Sequence, residues 1–202
     1  LITDATGVDA DATATIGGIL SGGIRKFIDK LPGLGSANAN LLGQYIPIAS
    51  AGTLLGDDYY ELEVGDYTEK LHTDLPPTKL RGYRQVGGQY HYLGPLIIAQ
   101  KDKAVRLKFT NSLDTGTAGN LFIPVDTTLM GAGMGPVMGE SYTQNRAVIH
   151  LHGGITPWIS DGTPHQWITP AGETTSYPRG VSVVDVPDMP APGPGAQTYY
   201  FN

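Results

Sequence analysis

Residues 104–110 read AVRLKFT, and in that stretch Val105, Leu107 and Phe109 alternate with Arg106, Lys108 and Thr110. Successive side chains of an extended chain point to opposite faces, so the pattern lays an apolar stripe on one face of a strand and a charged stripe on the other. Asn111 and Ser112 mark its end. The same alternation runs through Tyr59–Glu63, where Tyr60, Leu62 and Val64 are set against Glu61 and Glu63, and it predicts a second half-buried strand. Further strands are expected at Pro95–Ala99, Arg146–His152, Val181–Val186 and Thr198–Phe201. Strands this short, separated by turn residues and with little helix between them, read as an all-β sandwich or barrel.

Composition supports that class. The chain has 202 residues, 28 of them Gly and 15 Pro, with 40% hydrophobic and only 16% charged residues, a balance that favours many turns over helical bundles or disorder. The formal net charge is -6, from 13 basic and 19 acidic residues, so no basic footprint exists for phosphate backbones and nucleic acid is not the expected partner. Cysteine is absent, which excludes disulfides, thiolate nucleophiles and every metal site that needs a cysteine sulfur. No run approaches the roughly 18 apolar residues of a membrane span. The chain opens at Leu1 rather than Met, as expected where a leader has been removed or translation starts upstream.

Two regions are expected, an N-terminal arm with a short helical segment over 1–55 and a β domain over 56–202. Leu1–Ala12 is small, acidic and Thr-rich, an arm without apolar periodicity. Apolar residues from Ile16 to Leu31 fall at helical spacings interrupted by glycines, which leaves a short helix over Ile24–Lys30 stopped by Pro32 and Gly33. Two loops, Thr128–Glu140 and Pro187–Gly195, hold too much Gly and Pro for a regular helix.

Chemistry concentrates in residues 146–170, RAVIHLHGGITPWISDGTPHQWITP. On a strand, His150 and His152 share a face about 7 Å apart, too wide for easy joint chelation of one ion and suited to presenting one nitrogen to each of two neighbouring metals. Gly153 and Gly154 follow at once and allow close backbone approach or a sharp exit. Asp161, in an Ser-Asp-Gly turn, offers a carboxylate that could orient a ligand histidine, bind a water or relay a proton.

HLHGG followed by TP, SDG and W resembles the first copper motif of the three-domain multicopper oxidases, in the branch of the bacterial spore-coat laccases and bilirubin-oxidase-like enzymes. The likeness continues in order through KFIDKLPGLG at 26–35, YYELEV at 59–64, YTEKLHTDLPPTKLRGY at 67–83, GPLI and VRLKFTNSL up to 113, and LFIPVD at 121–126. It implies a cupredoxin-like Greek-key β-sandwich. It also implies that His150 binds the type 2 copper and His152 one of the type 3 pair, in a trinuclear cluster reducing O2 to water, with Asp161 helping proton delivery. Extracellular or periplasmic location is the family expectation.

The chain departs from the family pattern in two respects. That cluster takes four His-x-His pairs, whereas the remaining histidines here, His72, His91 and His165, stand singly, and a type 1 copper needs a cysteine that the chain lacks. The sequence stops at Asn202, where the pattern expects a second His-x-His soon after QTYYFN. The expectation is therefore an incomplete sandwich, completed by a second polypeptide carrying the other domains, the other copper ligands and the site for a small reducing substrate. A non-catalytic copper-binding or structural β-sandwich subunit is the alternative, and a copper carrier using Met130, Met134 and Met138 is a third. Single histidines, Trp158 and Trp167 are expected to serve packing or surface.

Overall fold

The computed structural model describes residues 24–202. The expected arm at 1–12 and the apolar positions before Ile24 lie outside them. Five strands form one sheet: β1 (Gly52–Leu54), β2 (Asp57–Glu69), β3 (Thr78–Gln85), β4 (Val105–Asn111) and β5 (Ala196–Phe201). One edge of β2 carries β1 and then β3, both antiparallel, while its other edge pairs in parallel with β4, which pairs antiparallel with β5.

The register explains the core. Tyr60, Leu107 and Tyr199 stand in one row across β2, β4 and β5, and Leu62, Phe109 and Gln197 in the next. All six are buried, so the apolar stripes legible in the sequence merge into one continuous face. The opposite face is laced by cross-strand pairs: Glu63 with Arg84 at 2.6 Å, Glu61 with Lys108 at 3.7 Å, and Arg106 with Asp57 at 2.7 Å. The apolar face is covered by Ala49, Leu113 and Ile168, with Ile97, Ala147, Ile149 and Val183 packed against them.

This covering layer is extended chain held by isolated bridges. Leu96 pairs only with Ile48, and Ile168 pairs with Ala147 on one side and Arg179 on the other. Strands expected at Pro95–Ala99, Arg146–His152 and Val181–Val186 are therefore not regular strands, because each segment finds at most a single partner residue and then turns away. The helix expected over Ile24–Lys30 is absent as well. Phe27 sits at φ 61° and Leu31 is exposed, so the apolar stripe has no surface to bury against. Polar ties hold the segment instead: Arg25 to Asp74, the Thr73 amide to Asp29 at 2.8 Å, and His72 Nε2 to the Arg25 carbonyl at 2.9 Å.

The architecture is all-β and cupredoxin-like, an open sheet backed by an irregular second layer. The outward backbone of β5 is capped by side chains: the Thr198 amide donates to Asp185 Oδ1 at 3.2 Å and the Tyr200 amide to Ser160 Oγ at 2.8 Å. This open edge of the sheet is thus partly satisfied within the chain. No described helix is long and apolar enough to cross a membrane.

Candidate metal centre

The histidine segment leaves the covering layer at Ala147, whose N–H and C=O both pair with Ile168 at 2.9 Å. Beyond it the chain runs free of any ladder to a turn at His152–Gly153, where Gly153 takes φ 81°. Ile149 packs inward, and His150 and His152 are exposed. Their ring centroids lie 5.8 Å apart at an interplanar angle of 81°. The imidazoles are thus neighbours, as the alternation predicts, although no regular strand carries them.

The loop bearing Asp161 fixes His150. A 3-10 turn over Trp158–Ser160 delivers Asp161 so that its backbone carbonyl lies 2.5 Å from His150 Nδ1. A carbonyl only accepts, so Nδ1 carries the proton and the lone pair of the neutral ring sits on Nε2, the nitrogen left free for a metal. The Asp161 carboxylate stands 3.8 Å from the same Nδ1 and accepts from Thr156 Oγ1 at 3.2 Å. It is half exposed, open to exchange with water.

Three further residues, whose roles the motif does not state, build this geometry. Gly162, at φ 71°, lies so close to the histidine segment that a β-carbon there would fall 1.7 Å from the Ile149 carbonyl oxygen. Gln166 is fully buried: its Oε1 accepts the amides of Gly162 at 2.7 Å and Thr163 at 3.0 Å, and its Nε2 donates to the Trp158 carbonyl at 2.9 Å. Ser160, also fully buried, ties the turn to β5 through Tyr200. Beside His150 opens a cleft of about 990 Å³ between Leu62, Leu107 and Phe201 of the sheet and Ile97, Ile149 and Ile155 of the cover.

The other histidines stay apart. His91 is packed on Tyr45 at 4.2 Å with Nδ1 2.8 Å from Glu69, and His72 belongs to the ties around Arg25. His165 lies exposed on the loop before Gln166. Among the described residues no three His, Asp or Glu side chains converge to hold a metal ion. Two imidazoles with a free Nε2 at one of them fit as part of a donor set for copper or another imidazole-preferring metal, and fall short of a complete one. Trp167 is buried, whereas Trp158 is exposed. Met130 and Met138 are almost fully exposed on the 128–140 loop, which forms turns and no helix.

No protein-family model matches the chain. It is similar to a laccase of Bacillus subtilis (strain 168), 36% identical over 117 residues, which are 58% of this chain and 20% of that protein. A laccase of Bacillus stratosphericus is 35% identical over 117 residues, with 58% and 20% of the two chains covered. A laccase of Haloferax volcanii is 33% identical over 135 residues, with 64% and 22% covered. The chain spans about a fifth of the length of these relatives.

Proposed function

From its kinship with three laccases, which makes the chain multicopper-oxidase-like, we propose that it forms the part of a copper oxidase that supplies two histidine donors to an oxygen-reducing centre. The observation that carries this reading is the His150–His152 pair, with His150 Nδ1 engaged by the Asp161 carbonyl so that Nε2 is available. Copper bound there would take up electrons singly and pass them to O2.

In this reading His150 and His152 each hold a different ion of a type 2 and type 3 cluster, the assignment that the resemblance to the multicopper oxidases implies. Asp161 has two tasks. Its carbonyl orients His150, and its exposed carboxylate takes protons from water and releases them at the centre. The remaining ligands, and a type 1 copper to accept electrons from a small reducing substrate, come from polypeptide outside these 202 residues, because the chain has no cysteine and no second His-x-His. Exposed Leu151 and Ile155, which line the cleft with His150, give that polypeptide an apolar surface to cover. The family expectation of action outside the cytoplasm is part of the same proposal.

The test is copper content and oxygen uptake of the protein as purified with its partners, compared with His150→Gln and His152→Gln. Each substitution is expected to lower bound copper and to abolish oxygen uptake with a phenolic reductant. Unchanged copper content in both variants would discard the site. Full copper content with no oxygen uptake in the parent protein would favour the non-catalytic subunit.

A further inference from the structure

A second group of redox-capable side chains lies on the other flank of residues 140–180. Trp167 is buried, and its ring meets Tyr142 nearly edge-on with centroids 5.5 Å apart. Tyr142 meets Tyr177 in the same way at 5.1 Å. Three oxidisable rings thus form an unbroken contact chain, and its outer phenol donates a hydrogen bond to the Glu140 carboxylate.

The charges along this chain are unequal. The Arg146 guanidinium lies over Tyr142 at 4.5 Å and over Trp167 at 5.1 Å. It makes no ion pair with a carboxylate among the described residues; its donors go to the carbonyls of Thr143 at 2.9 Å and Ala132 at 2.8 Å. A fixed cation over a ring disfavours the positive charge that electron loss creates there. Tyr177 faces a carboxylate instead, which favours loss of an electron and receives the proton. The field therefore drives an electron vacancy outward, from Trp167 through Tyr142 to Tyr177.

We propose that Tyr177 is a redox-active tyrosine, oxidised by one electron through Tyr142 and Trp167, with Glu140 as the base that receives its proton. In the step, an electron passes from the Tyr177 ring to the oxidised Tyr142 or Trp167, restoring that ring. The phenolic O–H bond breaks and a new O–H bond forms on Glu140, leaving a neutral phenoxyl radical beside a carboxylic acid. The hydrogen bond to Glu140 pushes the Tyr177 phenol up to about 12, so the ring stays protonated at neutral pH and electron and proton leave together. Trp167 adjoins Gln166, which binds the amides following Asp161, so the inner end of the relay belongs to the segment that carries the histidine site. The oxidant is partly reduced oxygen at the copper centre proposed above, on which the relay rests for its physiological use: it takes one electron from Trp167 and is itself reduced, and the vacancy then has an exit that spares the surrounding side chains.

The test needs no copper, so its outcome is separate from that of the metal site. The chain contains no cysteine, and His165 is exposed two residues from Trp167. A ruthenium polypyridine attached through His165→Cys in the protein as purified, and flash-quenched to its one-electron-oxidised form, supplies the oxidant and returns to its reduced state. A neutral tyrosyl signal is expected by electron paramagnetic resonance, lost in Tyr177→Phe. Tyr142→Phe is expected to strand the oxidised state on Trp167, and Glu140→Gln, which leaves only water to take the phenolic proton, to slow tyrosyl formation severalfold. A tyrosyl signal that persists in Tyr177→Phe, or a parent protein that yields none, overturns the proposal.

Discussion

At Gly162 a β-carbon would stand 1.7 Å from the Ile149 carbonyl oxygen, and the φ of 71° is one that an L-residue adopts only with strain. Ala at this position must push the Asp161 turn off the histidine segment, and with it the carbonyl that holds His150 Nδ1. Gly162→Ala is therefore expected to release His150 from its single tautomer. Nitrogen NMR of the neutral ring should report the proton on Nδ1 in the parent and a mixture in the variant, and an unchanged spectrum would show that the Asp161 carbonyl does not set the ring. That His150, His152 and Asp161 lie side by side was legible in the sequence because a short motif states them together. The roles of Gln166, Ser160 and Gly162 were not, although the same motif includes Ser160 and Gly162, because those roles arise from contacts with residues far along the chain or from a φ that no local pattern announces. A glutamine in a polar loop looks the same whether it is solvated or, as here, fully buried with four polar contacts.

Among the elements, β2 and β4 could be read directly, since each carries an alternation of apolar and polar residues, whereas β5 is buried on both faces and shows itself only as a short Thr- and aromatic-rich run after a Gly/Pro loop. The hairpin between β1 and β2 could not. Its two-residue turn is Leu55–Gly56, both at positive φ (55° and 89°), where an Asn-Gly or Asp-Gly pair is the recognisable signal. β3 escaped for a related reason: TKLRGYRQ has a glycine in its interior, and Gly82 is there because the Tyr67 ring lies against it, 3.0 Å from where a β-carbon would be. Leu55 is largely exposed, so the strain is not offset by burial. Leu55→Asn is expected to stabilise the chain by about 1 kcal/mol, the order of the left-handed penalty for an ordinary residue. Urea unfolding should show a higher midpoint at unchanged slope, and a lower midpoint would mean that Leu55 contributes contacts outweighing its strain.

Across the whole molecule, peripheral segments are fastened in part by carboxylates. The hydrogen bond from Arg25 holds Asp74 down to about 2, and Thr73 holds Asp29 below the usual carboxylate range, so the 24–34 segment hangs on two depressed acids. On the far side, Arg106 holds Asp188 down and thereby clasps the 187–195 loop to β4, with both guanidinium nitrogens engaged at 2.7 and 2.9 Å. The sign follows from linkage. A carboxylate whose folded pKa lies below its unfolded value binds fewer protons when folded, so its stabilisation is complete above about pH 4 and fades as pH falls towards the folded value near 2. The β sheet has no such dependence in its apolar rows, where Tyr60, Leu107 and Tyr199, then Leu62 and Phe109, are buried without charge. Acidification should therefore release the two clasped segments before it unfolds the sheet. Hydrogen exchange followed from neutral pH down to about 2 is expected to lose protection first at 24–34 and 187–195, with β2 and β4 protected longest. Arg25→Gln should shrink the acid step at the first segment to the part that Thr73 maintains through Asp29, while leaving that at the second, because Asp74 then loses its principal hydrogen-bond donor. If both segments and the sheet lose protection together at every pH, the clasps are not separable units and the molecule opens as one.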